Sequence, residues 1–324
     1  MNQSVIPSTP IKPPLQQLSI AIPCYNEEEV LPETASRLSS LLSELTENNL
    51  IRETSIYFID DGSTDRTWAL IEDLAARDTR VHGIKLSRNY GHQSALLAGL
   101  MHAPGDAVIS IDADLQDDIS AIKQMLDAYF SGAEIVYGIR SERTSDTFFK
   151  RGTAEGYYRL LQAMGVRLVF NHADYRLLSR RVLEALRSYK ETNLFLRGLI
   201  PQLGFNSATV YYNRRERFAG ESKYPFSKML ALAVEGITSF SAIPLKLITL
   251  LGMLISLVSF GLALWALGVK IWNPEAVPGW ASIVIPLYFL GGIQLLCMGV
   301  IGQYLAKVYS ETKGRPRFII EKTL

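Results

Sequence analysis

The chain has 324 residues, with 33 Lys and Arg against 32 Asp and Glu. That balance leaves no global polyelectrolyte field, which argues against duplex nucleic acid as a partner. The length admits one large domain or two modest ones. Cys24 and Cys297 lie far apart in sequence, and Cys297 sits in an apolar run. They suggest neither a disulfide framework nor a zinc site, and both read as small buried residues.

Residues 1–17 hold Pro7, Pro10, Pro13 and Pro14 with almost no apolar clustering. This predicts an extended, disordered leader without the apolar core of a signal peptide. From Leu18 onward strand and helix patterns alternate. Leu18–Pro23 is a short apolar strand, followed by a helical pattern through Leu31, Leu38, Leu41, Leu42 and Leu45. Ser55–Ile59 is the next strand, ending in Asp60, Asp61, Gly62, Ser63, Thr64 and Asp65. Ser63 or Thr64 can cap a helix that buries Trp68, Ile71 and Leu74. A strand over Val81–Leu86, a helix over Gly91–His102, a strand from Ala107 and another over Glu134–Gly138 continue the series. Strand and helix in turn predict an α/β, doubly wound and mostly parallel sheet.

The run Ala107–Asp118 reads AVISIDADLQDD, a buried strand that stops at Asp112 where the carboxylates begin. On an extended segment Asp112 and Asp114 share one side and Ala113 faces the other. Two neighbouring carboxylates repel, and a hard divalent cation with oxygen ligands relieves that repulsion. The spacing alone also fits a solvated loop or a helix N-terminus. Ligands of open α/β sheets collect beyond the carboxyl ends of the strands, where this pair would sit. Neither G-x-G-x-x-G nor G-x-x-x-x-G-K-[ST] is present, so phosphates would have to be held without a glycine cradle. His82, His92, His102 and His172 show no metal-ligand spacing and read as solvated or core histidines.

Phe226, Met229, Leu230, Ala233, Ile237 and Phe240 recur at helical intervals beside Lys223 and Lys228, which predicts an interfacial amphipathic region over 225–246. Leu247–Val269 and Ala281–Leu305 carry no charge, and each exceeds the roughly 20 residues that cross a bilayer core. The expectation is a two-helix transmembrane domain over 247–305, with Trp272 and Trp280 as interface anchors. Lys307, Lys313, Arg315, Arg317 and Lys322 make 306–324 a cytoplasmic tail by the positive-inside rule, and two spans put the N-terminal part on the same side. Gly291, Gly292, Gly299 and Gly302 suit either a homo-oligomer contact or packing of the second span against the first.

The ordered set PCYNEEE, IDDGSTD, LSRNYGHQSALLAGL, DADLQD, YGIR, DYRLLSRR and RFAGESKY resembles the family 2 glycosyltransferases of GT-A fold. Within them it is most similar to polyprenyl-phosphate glycosyltransferases of the dolichol-phosphate mannose synthase and bactoprenol glucosyltransferase type. The resemblance runs from about Leu18 to about Tyr224 and implies a catalytic domain over 18–224, with the terminal spans and the ETKGRPRF tail like those of the bactoprenol branch. It implies inverting transfer of a sugar, with UDP-glucose and undecaprenyl phosphate as the leading pair, at a cytoplasmic membrane face. A processive polysaccharide synthase shares the fold but carries a Q-x-x-R-W motif that is absent here. A membrane-tethered phosphohydrolase, from another class, could also use aspartates at strand ends.

The resemblance also implies roles. Pro23, Tyr25, Glu27, Ile59, Asp61, Asp112 and Ala113 would line the nucleotide, where an aromatic ring lies against a base and a carboxylate accepts from hydroxyl or N–H groups. Glu27 is equally at home in an acidic first helical turn. Asp112, Asp114 and Gln116 match a D-x-D-x-Q metal site for Mg2+ or Mn2+, with Asp114 central to catalysis. Arg140, Arg217 and Lys223 would meet the nucleotide's phosphates. Lys150, Arg151 and Arg176 are weaker candidates for the acceptor phosphate. Asp174 matches the general-base position of the wider superfamily. A phosphate monoester is largely dianionic at neutral pH and needs little base assistance, so Asp174 could instead orient the acceptor or Arg176. NHADYR lacks the glycine that many relatives have before the aspartate, and HQSALL stands where lysine-glutamate is common.

Overall fold

The computed structural model describes residues 15–141, 172–191, 194–213, 243–272 and 279–324. The chain divides into two compact units: a sheet with its helices, joined by the last residues of the chain, and a pair of long helices. The described strands of the first unit are β1 (Leu15–Cys24), β2 (Ile51–Asp60), β3 (Val81–Leu86), β4 (Ala107–Ser110), β5 (Ile135–Arg140), β6 (His172–Ser179), β7 (Ser207–Tyr212) and β8 (Ile320–Thr323). Between them run α1 (Leu31–Glu47), α2 (Thr67–Arg77), α3 (His92–His102), α4 (Ala121–Phe130), α5 (Arg180–Arg187) and α6 (Leu196–Gln202).

The strands form one sheet in the order β7-β5-β6-β4-β1-β2-β3-β8. The pairs β1·β2, β1·β4, β2·β3 and β5·β7 are parallel, as the alternation of elements predicts. β6 runs antiparallel to both β4 and β5, and β8 antiparallel to β3. β1 is covered on both faces, which is why its sequence is a nearly continuous apolar run. Leu18, Ile20 and Ile22 enter one core with α1 and α4, whereas Ala21 enters the other with α3, α5 and α6. That is the two-residue alternation of a strand.

α1 forms because Leu31, Leu38, Leu41, Leu42 and Leu45 fall on one face and are all buried. Pro32 suits its first turn, where a missing N–H costs nothing, and Glu33 complements the positive helix end. The helix stops at Asn48, and Asn49 turns the chain with φ +55. Each fully buried leucine contributes roughly 1.5–3 kcal/mol.

Three expectations change. β1 begins at Leu15 rather than Leu18, so residues 15–17 of the supposed leader belong to the sheet. The charged C-terminal segment is not a loose tail: β8 adds to the β3 edge, with the Ser87 N–H donating to Ile319 O at 3.0 Å and the Leu324 N–H to Gly83 O at 2.9 Å. Lys322 is paired there, with its Nζ 2.7 Å from Glu72 Oε1. The third change concerns the apolar runs. They fold as α7 (Ile243–Trp272) and α8 (Trp280–Thr312), but among the described residues no helix is long and apolar enough to cross a membrane. This overturns the expectation of an integral membrane protein with two spans and a cytoplasmic catalytic domain and C terminus. The amphipathic region over 225–242 lies outside the described residues.

Candidate active site

The carboxyl ends of β1, β2 and β4 lie together, and the loops that leave them build the site. Asp61 follows β2 and is tied back to β1 through its N–H and Cys24 O at 2.9 Å. Its two carboxylate oxygens accept from the Tyr90 N–H at 2.7 Å and the Gly91 N–H at 2.9 Å. Burial nonetheless pushes this carboxyl above its ordinary pKa, the two backbone donors only partly offsetting it. Gly62 makes the close approach possible: its φ is +70 and a Cβ there would lie 2.6 Å from the Arg88 carbonyl carbon. Gly91, with φ +91, then turns the chain into α3 so that His92 is its first residue.

Pro23 and Ile59 are buried and paired across β1 and β2. Tyr25 is exposed, as a ring that receives a base would be. Glu27 is half-buried and its N–H donates to Thr67 Oγ1 at 2.9 Å.

β4 ends at Ser110, two residues before the strand end expected from the sequence. The alternation persists beyond it: Ala113 is buried, and Asp112 and Asp114 are both partly exposed. Thr34 Oγ1 donates to Ala113 O at 2.8 Å and holds the turn against α1. Leu115 takes a left-handed φ of +54, a conformation that costs an L residue free energy and that collects at functional sites. The Gln116 N–H donates to Asp114 Oδ1 at 3.2 Å.

Two carboxylates of this loop keep a buried oxygen that accepts no hydrogen bond, Asp117 at Oδ2 and Asp112 at Oδ1. Burial pushes the Asp112 carboxyl up to about 6, with Asp174, Asp117 and Asp114 adding to the rise and His92 opposing it. Among the described residues no group of three or more His, Cys, Asp or Glu is arranged to hold a metal ion. A pair of carboxylates with an orphaned oxygen fits a Mg2+-like ion whose remaining ligands come from substrate phosphates and water.

The cluster beside Asp112 is the part of the site that the sequence does not announce. His92 Nε2 stands 3.6 Å from Asp112 Oδ1 and 3.4 Å from Asp174 Oδ2. Burial disfavours the charged ring, but the Asp174 hydrogen bond and the Asp112 charge outweigh it, so its pKa lies above the ordinary histidine value. Asp174, on β6, is almost fully buried and accepts from Arg176 Nη2, from Gln93 Nε2 at 3.2 Å and from Arg197 Nη2 at 3.0 Å and Nε at 3.3 Å. Burial opposes its charge, yet Arg176, His92 and Arg197 hold its carboxyl well below the usual range.

Arg176 has no exposed surface and pairs with Asp174. It cannot reach an acceptor phosphate as expected from the resemblance, because β6 places it under Ser110 in the middle of the sheet. Arg140 is paired with Asp117 at 3.2 Å, and Tyr212 Oη donates to the same Asp117 oxygen at 2.6 Å. Lys150, Arg151, Arg217 and Lys223 lie outside the described residues. His92, Gln93, Asp117 and Arg197 were missed. The signals for His92 and Gln93 were a polar start to an otherwise apolar helix and the place of HQSALL where lysine-glutamate is common.

The sheet gathers carboxylates at its strand ends beside a cluster of guanidinium groups, and the family model for "Glycosyl transferase family 2" matches residues 19–187. The chain belongs to that family and is a glycosyltransferase. It is 52% identical over 307 residues to the uncharacterized glycosyltransferase YkoT of Bacillus subtilis (strain 168), covering 94% of this chain and 91% of that one. It is 39% identical over 310 residues to the prophage bactoprenol glucosyl transferase homolog of Escherichia coli (strain K12), covering 94% and 99%. Among solved structures, glucosyl-3-phosphoglycerate synthase from Mycobacterium tuberculosis in complex with Mn2+, UDP and glucosyl-3-phosphoglycerate matches at a TM-score of 0.46 and 18% identity, over 69% of this chain and 78% of that one.

Proposed function

We propose that the protein transfers glucose from UDP-glucose to a polyprenyl phosphate with inversion at the anomeric carbon. The observation that carries this reading is the end of β4, where Asp112 and Asp114 flank a turn and one buried Asp112 oxygen lacks a donor. The near full-length similarity to bactoprenol glucosyl transferases supports the lipid acceptor and the glucosyl donor. Asp112, Asp114 and the Gln116 amide oxygen would hold Mg2+ or Mn2+. Such an ion supplies Lewis-acid stabilisation of the charge that builds on the departing diphosphate.

Asp61 and Glu27 would set the nucleoside, with Tyr25 against the base. The phosphate oxygen of the acceptor attacks the anomeric carbon from the face opposite the diphosphate, and the glycosidic C–O bond to the diphosphate breaks. A phosphate monoester is already largely dianionic at neutral pH, so no proton has to be removed. Asp174 suits a positioning role better than that of a base, because its oxygens accept from Gln93, Arg176 and Arg197.

Purified protein is incubated with radiolabelled UDP-glucose, undecaprenyl phosphate and Mn2+. Label extractable into organic solvent is the expected result. Polymer would instead indicate a processive synthase, and free phosphate released from the lipid a phosphohydrolase. Asp114→Asn should abolish transfer while the melting curve stays unchanged. Near-normal turnover of that variant with metal added would sink the reading.

A further inference from the structure

We propose that Asp117 and Tyr212 are positioning residues that hold the Arg140 guanidinium for the diphosphate of the sugar donor; this rests on the nucleotide-sugar reading above. Strand direction puts Arg140 on the side of the site. β6 runs antiparallel to β4 and to β5, and β7 runs parallel to β5, so β4, β5 and β7 all point the same way. Arg140 ends β5, Tyr212 ends β7, and the two are paired in register. They stand at the carboxyl ends of their strands, as does the loop that carries Asp112 and Asp114. Burial disfavours the Arg140 charge, but Asp117 outweighs it, and Tyr212 and Asp112 add to the effect. Arg140 is therefore within electrostatic reach of the carboxylate at the end of β4.

Three donors converge on one Asp117 oxygen. Arg140 Nε and Nη2 lie 3.3 and 3.2 Å from Oδ1, and Tyr212 Oη lies 2.6 Å from the same atom. Arg140 Nε also donates to Tyr212 Oη at 3.3 Å, which closes a triangle. The Asp117 side chain is 1% exposed and that of Arg140 25%. A buried carboxylate thus fixes a guanidinium that reaches the surface.

This bracket is itself braced. Tyr212 packs edge-on against Tyr175 with ring centroids 5.2 Å apart, and Tyr175 Oη donates to Asp118 O at 3.2 Å. Gly138 leaves room for the ring, since a Cβ there would lie 3.0 Å from Tyr212 Cε1 and 2.9 Å from Tyr175 O. Burial, and after it the Asp117 charge, pushes the Tyr212 phenol above its ordinary pKa, so Oη keeps the proton that it donates. Holding a guanidinium at two nitrogens sets its plane, and that plane decides how it meets phosphate oxygens. Charge alone would act with the opposite sign: removing a carboxylate near the diphosphate would favour an anionic ligand, whereas releasing Arg140 disfavours it.

Affinities of the full chain for UDP and for uridine are measured in Mn2+ by NMR titration. Wild type, D117N, Y212F, R140M and the doubles D117N/R140M and Y212F/R140M are compared. D117N and Y212F should each weaken UDP binding about 3- to 10-fold. Uridine affinity should stay within about twofold, a split that loss of structure would not give. On the R140M background the same changes should weaken UDP no further than about twofold, because the group that they position is gone. UDP binding by D117N and Y212F that is within about twofold of wild type, or tighter, overturns the proposal. So does a full effect that survives in R140M. Should D117N fail to fold, Y212F, which keeps the ring, decides alone by the same split. Failure of the nucleotide-sugar reading looks different: wild type itself would bind UDP no more tightly than uridine.

Discussion

Asp174→Asn changes one atom and removes the counter-charge of a guanidinium that has no exposed surface. Two other Arg176 nitrogens, Nε and Nη1, are already buried without hydrogen-bond partners, and the charge of Asp112 favours this guanidinium less than that of Asp174. Breaking a buried pair by removing one member costs about 3–5 kcal/mol. At about 2–4 °C per kcal/mol for a unit of this size, the melting temperature should fall by roughly 6–20 °C. Arg176→Met should cost less, because Arg197 and Gln93 remain on Asp174. The double variant D174N/R176M should be more stable than the two single losses added together, by about 2 kcal/mol or more, since no buried charge is left alone. The assay is thermal and urea unfolding of all four proteins. Additivity within about 0.5 kcal/mol would refute the pairing as a cause of stability. The sign with pH is fixed too. Asp174 has a depressed pKa, so its contribution is present above the unfolded carboxylate value near 3.9 and is lost as pH falls through the folded value. The gap between wild type and D174N should hold from pH 5 to 8 and close in acid.

Asp112→Asn should act in the opposite direction on stability. With the Asp112 carboxyl pushed up to about 6, its ionised form is a liability above that pH, and the variant should melt higher than wild type at pH 8 in EDTA but not at pH 4; equal melting at both would refute the burial account. Removing residues 319–324 should leave the β3 edge bare. Amide hydrogen exchange at Ser87 should then quicken more than tenfold while the amides of β1 keep their rates, and an unchanged Ser87 would mean that β8 does not brace this edge.

Much of the first unit was legible in the sequence. Leu31 to Leu45 announce α1, and the Val81, Ala107 and Glu134 strands fall where apolar runs meet turn residues. Those signals are local and report a face buried along its whole length. The parallel pairing also followed, because short strands separated by helices can close only through crossovers. The motif DADLQDD marked the turn after β4 for the same reason: it is a contiguous run at one strand end. What escaped was set by pairing between distant segments. Nothing local in DYRLLSRR says that β6 runs antiparallel, and nothing in Phe195–Arg197 says that this arginine meets Asp174. The tail misled because charge was its only local feature, whereas Lys85, Glu72 and Trp68 supply the partners from far upstream.

The reversal of β6 is what makes the site. Ser110 of β4 lies opposite Arg176, and antiparallel register carries the pairing outward so that Asp174 falls beside the turn holding Asp112. A parallel β6 would have put the start of the strand at the amino end of β4, away from every loop that carries the carboxylates. One strand direction thus brings an anionic corner and a cationic cluster within a single histidine of each other.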